Sequence, residues 1–450
     1  MIAFLRRKLN NLRSDKRFSE ILIGSVWALS AKIIATGLAM ISSIFVARVY
    51  GAEIMGIVAL VNSFVILATI FTNMGTENSI MRLIPEHIHK YSISSAFRAY
   101  RKIQYLLVGV SVITGALIFL GADWIANTLF SKPQLSGFFA LAACFVIFKS
   151  NMGLNTSAVR GLRLNRIFAF MQLLPGLSKL IILITATYLF FNQNVPVYAL
   201  FASWLVTAMV GLIIMQYAFK NRMTTGGVVE NLPVKSILSI SLPMLMTTSM
   251  VFIIGKSGVI ILGMFRSEAE VGYYSIAVTL ATLAAYALQA INSMSASKFS
   301  ELYHSNKIDE LFYVAKKSAK LIFWATAPIV LSLAVFGRPI ISLLYGESFA
   351  VAYPALLLLA LGQFVNSVSG STAMFMNMTG HQIALRNIMA GAAVINVILN
   401  LLLTPSYGMI GAALAGMISI AFWNIYTLVF IKRKYGQTTG YFPLLRLKIG

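Results

Sequence analysis

Acidic residues are scarce in this chain of 450 residues, with 13 Asp and Glu against 36 Lys and Arg. Charged side chains make up only 11%, too few to coat a soluble globule of this length. The single cysteine, Cys144, excludes a disulfide within the chain. It sits in an apolar run and reads as a small core residue. His87, His89, His304 and His381 lie outside the apolar runs, and no Cys, Asp or further His completes a metal ligand set beside them. No metal and no cofactor is expected. Long polar stretches are also missing, which leaves no room for a separate ATP-hydrolysing domain. The "GKS" of residues 255–257 mimics the end of a phosphate-binding loop, but Met250 stands where that loop needs glycine.

What the chain has instead is hydrocarbon. Hydrophobic residues make up 58%, and the mean hydropathy is +0.82. The apolar residues come in blocks long enough to cross a bilayer as helices, about 20 residues each. Short alternating strands of a transmembrane barrel are not the pattern. The reading is an all-α polytopic membrane protein. Its twelve spans run roughly over 21–47, 54–74, 103–121, 135–155, 167–191, 197–219, 237–265, 271–295, 320–337, 354–378, 387–404 and 409–431.

The net charge of +23 invites a nucleic-acid partner, but its distribution argues against one. With the N-terminus inside, the outer loops hold only Arg48, Lys132, Arg266 and Arg338, and three lysines fall within spans. The rest, Lys149, Arg160, Arg163 and Arg166 among them, are assigned to the cytoplasmic side. This is the positive-inside pattern. It explains the basic excess as topology and contact with anionic lipid, with both termini cytoplasmic. In residues 1–20, Phe4, Leu5, Leu9 and Leu12 fall at helical spacing among basic residues, the pattern of an interfacial helix.

The three lysines inside spans are Lys32, Lys179 and Lys256. No Asp or Glu lies well inside a span, Glu77 coming closest. A charge at mid-span costs about 2.5–3.5 kcal/mol. Lys32 and Lys179 each stand about 16 Å along the helix from the start of their spans, too far for easy snorkelling. Polar residues share their faces. Ser25, Lys32, Thr36 and Ser43 form one stripe, Gln172 pairs with Lys179, and Ser249 with Lys256. The eighth span carries Ser275, Thr279, Thr282, Tyr286, Gln289 and Ser293 at alternating spacings of four and three. The tenth carries Gln363, Asn366, Gly370 and Asn377. Several such stripes together with unpaired lysines point to a water-filled central cavity with a cationic lining.

The segments "ARVYGAEIMGIVAL" from Ala47 and "GMFRSEAEVGYYSI" from Gly263 match at a shift of 216 residues. The shift places Gly56 on Gly272 and Asn73 on Gln289. It implies two parallel six-helix halves, residues 1–220 and 237–431. A cytoplasmic linker, 221–236, joins them, and a cytoplasmic tail, 432–450, follows.

Those segments, with "MRLIPEH", "SLPMLM", "EVGYYSIAVTLATL", "RPIISLLYGESF" and "NVILNLLLTPSYGMIGAALA", carry a resemblance along nearly the whole chain. The chain resembles the polysaccharide repeat-unit (O-antigen type) flippases of the multidrug/oligosaccharidyl-lipid/polysaccharide exporter superfamily. The resemblance implies a two-lobe alternating-access transporter, not an enzyme, in a prokaryotic inner membrane. Its cargo would be a polyprenyl-diphosphate-linked oligosaccharide moved from the inner to the outer leaflet. Many relatives have an acid near Gly258 where this chain has Lys256, which strengthens the cationic lining.

The expected substrate-binding residues are therefore Lys32, Lys179 and Lys256 for the phosphates, with Arg160 and Arg163 at the cytoplasmic entry. Asn73, Gln289, Gln363 and Asn366 are expected to meet glycan hydroxyls. Lipid II flippase and multidrug exporter remain alternatives. A membrane glycosyltransferase or polymerase lacks the placed carboxylates it needs. Coupling to H+ or Na+, and a polysaccharide polymerase as partner, stay open.

Overall fold

The computed structural model describes residues 16–222, 230 and 232–441, with side chains from 30 onward and at 27. The expected interfacial residues Phe4 to Leu12, Ser25 of the first stripe, and most of the linker and distal tail lie outside it. Thirteen helices carry the architecture. They are α1 (Lys16–Asn73), α2 (Thr76–Lys90), α3 (Ile93–Leu120), α4 (Ser136–Gly161), α5 (Asn165–Leu189), α6 (Val195–Lys220) and α7 (Val234–Phe265). Then follow α8 (Glu268–Leu283), α9 (Ala285–His304), α10 (Ile308–Tyr345), α11 (Tyr353–Ser369), α12 (Thr372–Met378) and α13 (Gln382–Tyr435).

Among the described residues, nine helices are long and apolar enough to span a membrane, and α8 with α9 makes a tenth. Two of the nine are each folded in half at a glycine outside helical geometry, α1 at Gly51 and α13 at Gly408. That division yields the twelve crossings expected, in two six-helix lobes. Two expected spans are altered. The eighth, 271–295, is a pair bent by 41° at Ala284, and the Thr326 hydroxyl donates to the Ala284 carbonyl at the bend, 3.4 Å. The tenth, 354–378, breaks at Gly370, whose φ of 74° suits glycine.

Gly56 and Gly272, matched by the 216-residue shift, face each other where α1 meets α8. A Cβ on Gly56 would stand 1.7 Å from the Glu268 carbonyl oxygen, and one on Gly272 would stand 2.1 Å from that of Ala52. Only glycine permits this approach between the lobes.

The buried apolar residues divide unequally. Near the Gly51 and Gly408 turns one continuous core joins both lobes, from Val46 and Phe139 to Val271 and Tyr345. At the opposite end, where most basic residues lie, two separate cores stand apart. One gathers around Tyr100 and Phe219, the other around Phe299 and Phe375. The first also takes in Ile237 from the start of α7, so α7 is the element that ties the lobes together at the basic end.

Candidate functional site

Between the lobes lies a cavity of about 430 Å³. Lys32, Ala35, Thr36 and Ala39 of α1 line it, with Gln172 of α5, Lys256 of α7 and Val278, Thr279, Thr282 and Tyr286 of α8 and α9. Helical spacing explains the set. Lys32 and Thr36 are four apart on α1, and Thr279, Thr282 and Tyr286 keep one face across the bend. Among the described residues no Asp or Glu lines this space.

Lys32 Nζ donates to Gln289 Oε1 of α9 and lies 5.9 Å from the Tyr286 ring centroid. The Thr36 and Tyr286 hydroxyls meet at 2.8 Å. These contacts reach from one lobe to the other. Lys256 is half-buried, and among the described residues its ammonium makes no hydrogen bond or ion pair. Lys179 is likewise half-buried and unpaired within the described set, but it does not line the cavity. Lys179 and Lys256 stand at similar heights, each about 15 Å along its helix from the end remote from the basic face.

The other expected residues are elsewhere. Asn73 is buried, and its Nδ2 donates to Glu77 Oε1 at 2.5 Å. Asn366 donates to Gln363 Oε1 at 3.3 Å within α11, away from the cavity. Arg160, with its guanidinium 5.4 Å from the Phe168 ring, and Arg163 are exposed at the basic end of α4. Asn396 and Asn400 are buried at a helix contact, where the Ser257 hydroxyl donates to Asn396 Oδ1 at 2.5 Å.

One assignment of charge changes, and one loop charge is unexpectedly buried. Lys149 was placed in a cytoplasmic segment, but it lies halfway along α4, about 18 Å from that helix's basic end. Its ammonium is 5.3 Å from the Trp204 ring. The sequence carried the signal, since continuous helix from Ser136 to Gly161 puts residue 149 at mid-span. Lys132 was read as an outer-loop charge, yet it is 8% exposed, as is Glu268. Lys132 Nζ stands 3.6 Å from Glu268 Oε2 and donates to the Arg266 carbonyl at 2.7 Å. Gln134 Nε2 donates to Glu268 Oε1 at 2.7 Å. This polar clasp joins the lobes at the end remote from the basic face. Sequence spacing could not reveal a pair 136 residues apart.

Comparisons with known proteins fit this architecture. The polysaccharide biosynthesis protein family matches residues 45–354. The chain is 23% identical over 422 residues to the probable low-salt glycan biosynthesis flippase Agl15 of Haloferax volcanii, covering 90% of this chain and 84% of that one. It is 21% identical over 429 residues to a membrane protein of Methanocaldococcus jannaschii, covering 91% and 83%. Among solved structures, the lipid II flippase MurJ in an inward closed conformation aligns with TM-score 0.66 and 16% identity, over 91% of this chain and 87% of that one. An inward-facing multidrug transporter of the MOP superfamily aligns with TM-score 0.68 and 16% identity, over 94% and 100%. A MOP superfamily transporter from Pyrococcus furiosus, described as having a binding pocket of reverse polarity, aligns with TM-score 0.62 and 15% identity, over 92% and 95%. The likenesses to solved structures show a shared fold. By its match over 45–354 and its twelve-span, two-lobe architecture, the chain belongs to the polysaccharide biosynthesis protein family and has the fold of the MOP exporter superfamily.

Proposed function

We propose that this protein is a flippase that moves a polyprenyl-diphosphate-linked oligosaccharide across the bilayer by alternating access. The basic end is the cytoplasmic one, and the described arrangement is inward-facing. The observation that carries this reading is the cavity between the lobes, lined by Lys32 and Lys256 without an acidic residue among its described walls. Ammonium groups held in such a place bind an anion, and a diphosphate supplies two or more charges at the spacing of a small cavity. Gln172, Thr279 and Thr282 of the lining, with Gln289 beside Lys32, then offer hydrogen bonds to the first sugars, while the polyprenyl chain stays in lipid. Lys179 is close enough in height to take over a phosphate as the lobes rearrange, and Arg160 and Arg163 serve as the entry attraction.

The Haloferax relative is named a probable glycan biosynthesis flippase, and MurJ a lipid II flippase. Both names support cargo of the lipid-linked glycan class. An organic cation would meet repulsion from the same lysines, which disfavours the drug-export alternative.

The test is binding. Purified protein in nanodiscs is titrated with polyprenyl diphosphate and with neutral polyprenol. Loss of one charged hydrogen-bond partner costs about 1.5–3 kcal/mol, or roughly ten- to hundredfold in affinity. Lys32→Ala and Lys256→Ala are each expected to weaken the diphosphate by that factor and leave polyprenol unchanged. Equal affinity of wild type for both lipids would remove the cationic-cavity reading.

A further inference from the structure

A second charged site lies inside the first lobe, apart from the cavity. The span that begins at Gly51 breaks at Met74 and Gly75, with φ of 45° and 78°, so that α1 ends at Asn73 and α2 begins at Thr76. Glu77 stands in the first turn of α2, where a helix N-terminus favours a carboxylate. The space for it is made by α4. A Cβ on Gly153 would stand 1.8 Å from Glu77 Oε1. One turn along α4 is Lys149, whose charge acts on Glu77. The two groups do not touch, since no ion pair within 4.0 Å joins them. Asn73 is 8% exposed. Its Nδ2 donates to Glu77 Oε1, while its Oδ1 is buried without a hydrogen-bond partner.

The Asn73 amide carries both a donor and a free acceptor, so it can serve either protonation state of the carboxylate. An ionised carboxylate needs the amide N–H, as seen here. A protonated one donates its own O–H and needs the amide oxygen, and a half-turn of the Asn73 amide supplies it. Two oxygen-bearing side chains are too few to hold a metal ion, and Lys149 already supplies the positive charge. The remaining exchangeable cation is the proton.

We propose that Glu77, with Asn73 and Lys149, is a proton-exchange site wired to the contact between the lobes. The carboxylate takes up H+ to become the neutral acid, and releases it without any other bond forming or breaking. The wiring is the helix break itself. A Cβ on Gly75 would stand 2.2 Å from the Ser241 carbonyl oxygen of α7. The Ser79 and Ser241 hydroxyls meet at 2.7 Å, and Asn78 Nδ2 donates to Thr248 at 3.2 Å. The turn that changes charge is therefore the turn that holds α7 at the basic end.

The neighbours of Glu77 limit what else titrates here. From α4, Lys149 faces it. From α3, Tyr100 is held one layer away by donating to Asn155 Oδ1 at 2.7 Å. In sequence, α7 carries only Lys235 and Lys256, at its start and at the cavity, and α1 beyond Gly51 carries only Glu53, at the far end. The remaining titratable residues of α2, from Arg82 to Lys90, lie beyond the break towards the basic face.

Proton binding stands without the transport reading, and only its consequence for lobe motion rests on that reading. Full-length protein in nanodiscs is studied by infrared difference spectroscopy between about pH 8 and pH 5, read at the carbonyl stretch of a buried protonated carboxyl. Wild type is expected to show that band and Glu77→Gln to lack it, with thermal unfolding reporting that the variant is folded. Lys149→Gln removes a neighbouring positive charge, so the band is expected to develop at a higher pH. A wild-type band retained in Glu77→Gln would overturn the site. So would an unmoved midpoint in Lys149→Gln. Should Glu77→Gln fail to fold, Asn73→Ala is expected to move the midpoint, and an unmoved midpoint overturns the proposal. Spin labels at positions 91 and 307, one on each lobe, give the second readout. Their separation is expected to follow the band in wild type and to be independent of pH in Glu77→Gln. A band with no change in separation would overturn the wiring. A failure of diphosphate lipid to bind, with band and separation intact, would instead count against the cargo.

Discussion

A lysine in a membrane span is informative because hydrocarbon makes it expensive, so each one must have a reason. Lys32 and Lys256 reach the same cavity, and Lys32 crosses it to Gln289. Those positions were legible in the sequence, as stripes of polar residues at helical spacing. Gln289 was legible too, although its role as the partner of Lys32 was not, because 257 residues separate them. Asn73, Gln363 and Asn366 share that polarity but lie outside the cavity lining, since periodicity gives a face but not what that face meets. Single residues also set the response to pH at the basic end. His87 is buried, with Nδ1 2.9 Å from the Ser95 hydroxyl, and burial holds its pKa below the ordinary 6.5. Burial lowers His381 as well, helped by the charge of Lys434. A depressed histidine adds stability above about pH 6.5 that is lost as pH falls through its folded value. Thermal unfolding in detergent is therefore expected to weaken from pH 7 to pH 5, and His87→Asn with His381→Asn to flatten that slope. An unchanged slope in the double variant would place the acid sensitivity elsewhere.

At the scale of the helix, glycines decide where spans fold, bend and touch. Gly51 and Gly408 turn two long helices into four crossings. The sequence announced these turns by polar breaks, while the bend at Ala284 was hidden because no proline or glycine marks it. Gly56 and Gly272 let α1 and α8 approach at their backbones. Overpacking at such a point costs about 1–3 kcal/mol. Gly56→Val and Gly272→Val are each expected to lower the melting temperature in detergent, with wild-type melting for both variants as the contrary result. The Lys132–Glu268 clasp belongs to the same end. Removing one partner of a buried pair leaves the other charge unbalanced at a cost of about 3–5 kcal/mol. Lys132→Ala is expected to expose the cavity to an impermeant thiol reagent from the far side, read at Thr36→Cys in a Cys144→Ser background. Protection equal to that of the Thr36→Cys, Cys144→Ser protein with Lys132 intact would contradict this.

For the whole molecule, the division of the apolar core describes the state. One shared core at the far end and two separate cores at the basic end leave the cavity between lobes that part towards the basic face. The sequence foretold the two halves through the 216-residue repeat. It could not foretell which end is joined, because periodicity gives the buried face of a span and not the neighbour it packs against. A diphosphate carried outward down an inside-negative potential gains about 2.3 kcal/mol per charge per 100 mV. Flipping in proteoliposomes is thus expected to speed up when a potassium gradient makes the side of the basic end negative. The most direct trial of the cationic cavity compares flipping of a polyprenyl-diphosphate oligosaccharide by wild type and by the Lys32→Ala, Lys256→Ala double variant, at matched incorporation into liposomes. The account expects the double variant to lose at least tenfold in rate and Lys32→Arg, Lys256→Arg to keep most of it. Undiminished flipping by the alanine pair would contradict it.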